Sequence, residues 1–174
     1  MTFSEGDRVR NPSQPKWGIG QVIDDSAGDR ISVFFLNAGR KKFHVENSLV
    51  KVENKPHDTL DILSGLDWNK SRRNVYVIEL RSEVFNKGRF SEENPHCSKS
   101  CVCLYVGSTG HPPEKRFEQH RKGYKASKYT KGYVKRLLPR LYEHFNPMPD
   151  ELAYKLEEYL GNFLRGNGYA VWWN

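Results

Sequence analysis

Cysteine is scarce in this chain of 174 residues, and its three thiols lie within one short segment, at Cys97, Cys101 and Cys103. An odd number of clustered cysteines excludes the paired framework of a small secreted domain. Long apolar runs are also missing, since no stretch approaches the length of a membrane span. The first residues have neither the charged start nor the apolar stretch of a signal peptide. These absences predict a cytoplasmic protein without a membrane partner.

The cysteine segment raises the question of a metal, because His96 directly precedes the first thiol. The spacing C-x₃-C-x-C matches no common zinc pattern, and Cys103 falls in a predicted strand where its side chain can simply pack. We therefore expect reduced, partly buried thiols. A structural zinc ion held by Cys97, Cys101 and Cys103 is the alternative that the sequence leaves open.

Acidic residues are outnumbered by basic ones, with 21 Asp and Glu against 28 Lys and Arg, so an anionic partner is expected. Aromatic residues make up 13 % of the chain, which excludes a basic disordered tail. Residues 115–140 hold ten Lys and Arg and one acid, Glu118. Because such a density neutralises phosphates, we expect this segment to contact DNA. The residues predicted to bind nucleic acid are Lys115, Arg121, Lys122, Lys125, Lys128, Lys131, Lys135 and Arg136.

The distribution of strand and turn signals predicts two folded parts joined by a linker. Residues 1–53 contain short β-rich runs separated by tight turns, which indicate a small β-barrel. Residues 54–72 combine a proline with a short apolar-spaced stretch, which predicts a linker carrying a short helix. Residues 73–174 form the second part.

The first part resembles the SH3-like or Tudor-like barrels, including those appended to some DNA helicases. The resemblance rests on two runs, Gly6-Asp7-Arg8-Val9-Arg10-Asn11-Pro12 and Trp17-Gly18-Ile19-Gly20-Gln21-Val22, and it covers about residues 3–52. It implies a small barrel that grips nucleic acid or a protein partner. Both kinds of ligand stay open.

The second part alternates strand patterns with helix patterns. Two antiparallel strands are predicted over 74–80 and 101–106, and a third is expected around 137–145. Helices are predicted over 114–121, after a pair of prolines, and over 150–165, before two glycines. These elements predict an α+β domain.

Two of the predicted strands each carry a tyrosine between apolar residues, in Val75-Tyr76-Val77 and Leu104-Tyr105-Val106. Because a strand alternates its side chains, two such strands side by side would place both phenols on one face of the sheet. Arg116 and His120 are four residues apart on the predicted helix, and so they share one side of it. The sequence therefore predicts a polar cluster beside a small sheet.

The acid expected to complete this cluster is Glu157. At about 100° per residue, Ala153, Glu157 and Leu160 fall on one apolar stripe of the last helix, whereas Glu158 faces the other side. A carboxylate within an apolar stripe is costly unless a charged group meets it. This position therefore predicts a functional carboxylate at Glu157.

The ordered set of elements resembles the GIY-YIG nuclease family over about residues 74–173. The resemblance rests on Val75-Tyr76-Val77, Tyr105-Val106-Gly107, Arg116-Phe117-x-x-His120 and the late helical glutamate. It implies a small three-stranded sheet, mixed or antiparallel, flanked by helices, and an endonuclease that cuts DNA with a divalent metal. It also implies the active-site residues Tyr76, Tyr105, Arg116, His120 and Glu157, with Glu157 holding Mg²⁺ or Mn²⁺.

The chemistry of these side chains suits hydrolysis of a phosphodiester bond. Arg116 offers a planar donor fork matched to phosphate, and a carboxylate is a ligand that Mg²⁺ prefers. The unperturbed pKa of tyrosine is ~10 and that of histidine is ~6.5, so His120 needs less adjustment than Tyr76 to act as a base near neutral pH. Our interpretation is that Tyr76 holds the attacking water, while His120 or a metal-perturbed phenolate takes the proton.

Two other functions fit the same residues. A non-catalytic nucleic-acid-binding module would keep the fold and the basic segment without cutting, and an RNA-directed nuclease would use the same chemistry on the other polymer. The sequence specifies neither a base sequence nor an oligomeric state. The roles of restriction, repair, recombination and mobile-element transfer all use this chemistry, so the biological role stays open.

Overall fold

The computed structural model describes residues 2–45, 49–53 and 59–173. The chain divides into two compact units, residues 1–68 and residues 69–174. Each unit has its own β-sheet, and the whole is a mixture of strands and helices. Among the described residues, no helix combines the length and the apolar character that crossing a membrane requires.

The first unit is built on a five-stranded antiparallel sheet. Its strands in spatial order are β4, β3, β2, β1 and β5. They span β1 Arg8–Arg10, β2 Ile19–Ala27, β3 Arg30–Phe35, β4 Gly39–His44 and β5 Val50–Lys51. Strand β2 pairs with β3 across a tight turn, which is the meander that the turn residues of this region predict.

The first unit has an apolar core cluster, beside which Arg8, Gln21 and Ser32 are also buried. Buried side chains from the strands and the connecting loops pack together, with Trp17 and Phe43 against them. They are Phe3, Val9, Val22, Ile31, Val33, Phe35, Ala38 and Leu49. Gly20 in β2 is part of this packing, because a Cβ there would lie 2.6 Å from the Phe35 ring. The missing side chain makes room for an aromatic ring.

The predicted linker, residues 54–72, falls into three parts. Residues 54–58 lie outside the described residues. Residues 59–68 belong to the first unit, where Leu60 and Leu63 are buried in a 3₁₀ helix and Arg8 forms a salt bridge of 3.0 Å with Asp61. The rest, from Asn69, belongs to the second unit.

The second unit is built on a four-stranded mixed sheet with the order β8, β6, β7, β9. Its strands are β6 Asn74–Leu80, β7 Cys103–Thr109, β8 Val134–Leu137 and β9 Ala170–Trp172. Strands β6, β7 and β8 are antiparallel to their neighbours, whereas β9 is parallel to β7. The expectation of three strands is therefore corrected to four, because the short C-terminal segment adds β9 to the edge.

The strand expected around residues 137–145 is also corrected. The observed strand β8 comes earlier and ends at Leu137. Residues 139–141 and 143–145 form two short 3₁₀ helices instead, and the first begins with Pro139. Proline has no backbone N–H to give to a strand ladder, so it suits the start of a helical turn better.

Three α-helices complete the second unit: α1 Gly88–Glu92, α2 Pro113–Arg121 and α3 Asp150–Gly166. Pro113 occupies the first turn of α2, where its missing N–H costs nothing. Helix α3 buries one stripe, whose members include Ala153, Leu156 and Leu160. Contacts of α2 with β6 and β8, and of α3 with β6 and β7, bring both helices to the sheet.

Candidate active site

The two tyrosines of the sheet point to the same side. In the register of β6 and β7, Tyr76 lies opposite Gly107 and Ile78 lies opposite Tyr105. Tyr76 and Tyr105 are therefore on alternate positions of one face, and their ring centroids are 6.2 Å apart. Both phenols are about 1 % exposed. The pairing register thus holds two phenols together at the centre of the sheet.

Gly107 is required by the position of Tyr76. A Cβ at residue 107 would lie 2.6 Å from the Tyr76 hydroxyl oxygen and 2.9 Å from the Tyr105 ring. Real Cβ atoms do not approach other atoms so closely, and both contacts are to side chains locked in the sheet. The glycine that follows Val106 therefore creates the space in which the Tyr76 hydroxyl lies.

His120 brings an imidazole from α2 against both phenols. Its Nε2 lies 2.9 Å from the Tyr76 hydroxyl, and its Nδ1 lies 3.0 Å from Thr130 Oγ1. Its ring centroid is 5.6 Å from that of Tyr105. The imidazole is completely buried. Burial, and then the positive charge of Arg116, lower the pKa of His120 from 6.5 to about 4, so the ring is neutral at neutral pH.

Arg116 lies one turn before His120 on α2 and is oriented by two hydrogen bonds. Its Nη1 donates to Gln119 Oε1 and its Nη2 donates to the Lys125 carbonyl, each at 3.0 Å. The positive charge of the guanidinium also acts on the Tyr76 hydroxyl and lowers its pKa, against the larger effect of burial. It is half-buried. A guanidinium fixed in this way can meet an incoming phosphate without first losing side-chain freedom.

Glu157 joins the cluster from α3. Its side chain is 5 % exposed and belongs to the buried stripe of the helix, whereas Glu158 is exposed. The carboxylate is near enough to raise the pKa of Tyr76 by charge repulsion. Glu157 therefore lies on the apolar stripe that helix periodicity predicts for it, and Glu158 lies on the other side of the helix.

The protonation of the cluster follows from its burial. Burial is the largest cause that raises the pKa of Tyr76 far above 10, the neighbouring phenol of Tyr105 adds to it, and Arg116 opposes it. At neutral pH the site therefore holds a protonated Tyr76 hydrogen-bonded to a neutral His120. A neutral imidazole can accept a proton, whereas a phenol with a raised pKa does not ionise unaided.

Some cations of the basic segment, residues 115–140, form ion pairs with carboxylates of the protein. Lys135 Nζ lies 2.5 Å from Glu79 Oε1, and Arg136 Nε lies 2.6 Å from Glu79 Oε2. These two cations hold the pKa of Glu79 below its usual range, so part of their charge is used within the protein. Arg121 pairs with Glu118 at 3.1 Å. The remaining residues predicted to bind nucleic acid lie at the surface, partly or fully exposed: Lys115, Lys122, Lys125, Lys128 and Lys131.

The three thiols of the cysteine segment are free, with Cys103 buried and the other two partly exposed. Burial, followed by the neighbouring thiol of Cys101, raises the pKa of Cys97 to about 12 and that of Cys103 to about 11. Within the described ranges, no three His, Cys, Asp or Glu side chains converge at a spacing that would hold a metal ion by themselves.

Three residues near the site have no clear signal in the sequence. Thr130 is a polar residue within a basic stretch, Gln119 sits between charged neighbours on α2, and Arg81 follows the end of β6. Arg81 lines a cleft of about 410 Å³ together with Arg121 and Lys135. These side chains come close to the tyrosine cluster or to the basic segment only through the pairing of the strands and the packing of α2 against the sheet. Local sequence patterns do not specify either.

Comparison with known proteins bears on the first unit. Residues 3–52 match a family described as "Protein of unknown function (DUF3553)". The match covers the five-stranded sheet and leaves the second unit, with its tyrosine cluster, outside it. Neither a curated protein nor a solved structure matches the chain.

Proposed function

We propose that the second unit is a GIY-YIG-type, divalent-metal-dependent DNA endonuclease that hydrolyses phosphodiester bonds. One observation carries the proposal: four polar side chains from β7, α2 and α3 interact with Tyr76 of β6, one through a hydrogen bond and the others through ring contact or charge. Burying so many ionisable groups costs stability, and such groups concentrate at sites where they do chemistry. We further propose that the first unit is an SH3-like or Tudor-like barrel that grips nucleic acid or a protein partner.

Each side chain has a role that its environment supports. Arg116 stabilises the charge that develops on the phosphoryl oxygens, because its fork is fixed and donates only. Tyr76 and Tyr105 position the attacking water at the face of the sheet. His120 accepts the proton through the hydroxyl of Tyr76, since its Nε2 is 2.9 Å from that hydroxyl.

The metal expected in this class of enzyme suits the donor set. Mg²⁺ is commonly held by one or two carboxylates together with water and substrate phosphate oxygens, and Glu157 supplies one buried carboxylate that faces the cluster. When bound, Mg²⁺ or Mn²⁺ would supply positive charge to polarise the scissile phosphate. The roles of Arg116, Tyr76 and His120 in orienting the phosphate and moving the proton follow from their own contacts.

Cleavage assays on a panel of substrates test the proposal. Plasmid DNA, branched DNA and single-stranded RNA are incubated with the full chain and Mg²⁺ or Mn²⁺. We expect the wild type to nick DNA, and we expect Arg116→Ala and Glu157→Gln to be inactive. Glu158→Gln is the matched control, because it removes the adjacent exposed carboxylate from the same helix and should leave cleavage unchanged. Cleavage of RNA without cleavage of DNA would instead support an RNA-directed nuclease.

A non-catalytic nucleic-acid-binding module is the second candidate, and the burial of the cluster favours it. Tyr76, Tyr105 and His120 are each 1 % exposed or less, so water reaches the proposed base only if the site opens. This candidate predicts salt-sensitive binding that survives Arg116→Ala and Glu157→Gln, with no cleavage under either metal. The same panel therefore separates the two functions.

A further inference from the structure

Thr130 lies at the edge of the tyrosine cluster and contacts the side of His120 that faces away from Tyr76. Its Oγ1 is 3.0 Å from His120 Nδ1, and the residue is completely buried. The imidazole is therefore held between two hydroxyl groups, one at each ring nitrogen. A neutral imidazole has one N–H and one lone pair, so one hydroxyl must accept a hydrogen bond from the ring and the other must donate to it.

The hydrogen-bond partners available to Tyr76 decide which atom donates in the hydrogen bond between its hydroxyl and His120 Nε2. Its hydroxyl is hydrogen-bonded to His120 Nε2 at 2.9 Å, and the guanidinium of Arg116 lies near enough for its charge to lower the pKa of the phenol. A guanidinium only donates, so it cannot accept the phenol proton. Among the described residues, the acceptor within hydrogen-bond distance of the Tyr76 hydroxyl is His120 Nε2. A buried donor without an acceptor is costly, and this favours an unprotonated Nε2.

The acceptors around Thr130 favour the same tautomer, because they leave its hydroxyl oxygen able to accept a hydrogen bond from His120 Nδ1. Its hydroxyl proton has acceptors on Ser127, whose carbonyl oxygen is 3.2 Å from Oγ1 and whose hydroxyl oxygen is 3.4 Å from it. With the proton directed to Ser127, a lone pair of Thr130 Oγ1 is free to accept from His120 Nδ1. The hydrogen bonds at both ring nitrogens therefore agree on one tautomer.

We propose that Thr130 is a positioning residue that holds His120 in the Nδ1–H tautomer and so reserves Nε2 as the acceptor for the Tyr76 proton. In the other tautomer, Nε2–H would donate to Tyr76 and could take no proton from it. The hydrogen bond thus sets the direction of proton transfer between the two side chains. The effect of this tautomer on cleavage rests on the proposed function, but the tautomer itself does not depend on whether the protein is a nuclease.

Nitrogen NMR of the wild-type full chain tests the tautomer without any substitution. Long-range ¹H–¹⁵N spectra at neutral pH distinguish a protonated from an unprotonated ring nitrogen, and His120→Gln identifies the resonances of His120 among the six histidines. We expect Nδ1 to be protonated and Nε2 to be unprotonated. A spectrum with Nε2 protonated, or with both forms equally populated, overturns the proposal.

Thr130→Val and Thr130→Ser test the role of the hydroxyl. Valine keeps the shape of threonine and removes the acceptor, so we expect the Nε2–H form to grow and kcat to fall roughly 10- to 100-fold with KM little changed. Serine keeps the acceptor and should restore both the tautomer and kcat. A merely structural role predicts that the two variants lose activity in step with their stability, and an unchanged tautomer in a folded Thr130→Val protein contradicts the proposal.

The two readouts separate this inference from the proposed nuclease function. If the wild type shows the expected tautomer but cuts no polymer, the positioning role of Thr130 stands and the enzymatic proposal fails. If the wild type cuts DNA but the ring shows the opposite tautomer, the nuclease stands and Thr130 has no such role. Thermal unfolding of each variant identifies any protein that has not folded.

Discussion

In each of the two sheets, a glycine makes room for a side chain of the neighbouring strand, but the two side chains differ in polarity. In the first unit, Gly20 leaves room for the Phe35 ring, and the surrounding core is apolar. In the second unit, Gly107 leaves room for the hydroxyl of Tyr76, and the surroundings hold an imidazole and a carboxylate. A missing Cβ favours tight packing in one sheet and a polar cluster in the other.

This difference bears on the energetic cost of the two sheets. Apolar burial stabilises the first unit directly, whereas a buried imidazole and carboxylate must each be compensated by a partner. The hydrogen bonds of His120 with Tyr76 and Thr130 provide part of that compensation. Phenylalanine would fill the tyrosine positions without burying a hydroxyl group, and the polar cluster is therefore consistent with the proposed function.

Tyr76→Phe should lower activity strongly, because it removes the hydroxyl at the centre of the cluster. We expect the cleavage rate to fall roughly 10²- to 10⁴-fold, the range typical of a missing proton-transfer group. The control is Tyr142→Phe, a buried tyrosine of the same unit whose hydroxyl lacks a hydrogen-bond partner within the described part of the chain. Equal rates for the two variants would show that the Tyr76 hydroxyl takes no part.

Gly107→Ala and Gly20→Ala compare the two sheets directly. Each new Cβ would lie 2.6 Å from a ring or hydroxyl atom, so both variants should lose about 1–3 kcal/mol of unfolding free energy. Only Gly107→Ala should also lose cleavage activity, because it displaces the Tyr76 hydroxyl. Chemical denaturation and the cleavage rate, measured on both proteins, check this. If Gly20→Ala loses activity to the same degree while folded, the contrast between the sheets is wrong.

The pKa of His120 predicts a pH dependence of stability. In the folded protein the pKa is about 4, against 6.5 for an unperturbed histidine. Between these values the unfolded chain binds more protons than the folded one, so the free energy of unfolding falls as the pH falls through this window, by on the order of 3 kcal/mol in total. His120→Gln should flatten that part of the profile, measured by denaturation from neutral pH downward. Identical pH profiles for the wild type and His120→Gln would show that another group causes the pH dependence.

The smallest effects are expected in the basic segment, where ion pairs divide the cations. Replacing the exposed Lys122 and Lys131 by alanine should reduce the slope of log K against log salt by about 0.9 for each phosphate that is no longer neutralised. Replacing Lys135 and Arg136 should change that slope less, because both already pair with Glu79. DNA binding at several salt concentrations measures both. A larger change from the second pair would show that the ion pairs open on binding.

The sequence predicts the parts of the site that depend on local periodicity. The two-residue period of a strand and the four-residue spacing of a helix are enough to pair Arg116 with His120 and to separate Glu157 from Glu158. The ends of α2 and α3 also follow from local signals, since Pro113 starts one and Gly166 ends the other. These features need no information from distant parts of the chain.

The rest of the site depends on register and packing, which local patterns do not encode. The pairing of Ile78 with Tyr105 sets which face the phenols share, and a slip of one residue would separate them. Thr130 comes near His120 only because the loop after α2 folds back to β8. Strand β9 is a three-residue segment with no partner nearby in sequence, and it joins the sheet by pairing in parallel with β7.

A paired measurement of binding and cleavage by the wild type and Arg116→Ala decides whether the cluster around Tyr76 cuts DNA. Both proteins are mixed with the same labelled DNA, first with EDTA to measure binding and then with Mg²⁺ or Mn²⁺ to measure cleavage. We expect both proteins to bind and only the wild type to cut. If both bind and neither cuts any DNA or RNA under either metal, the cluster around Tyr76 is not a nuclease active site.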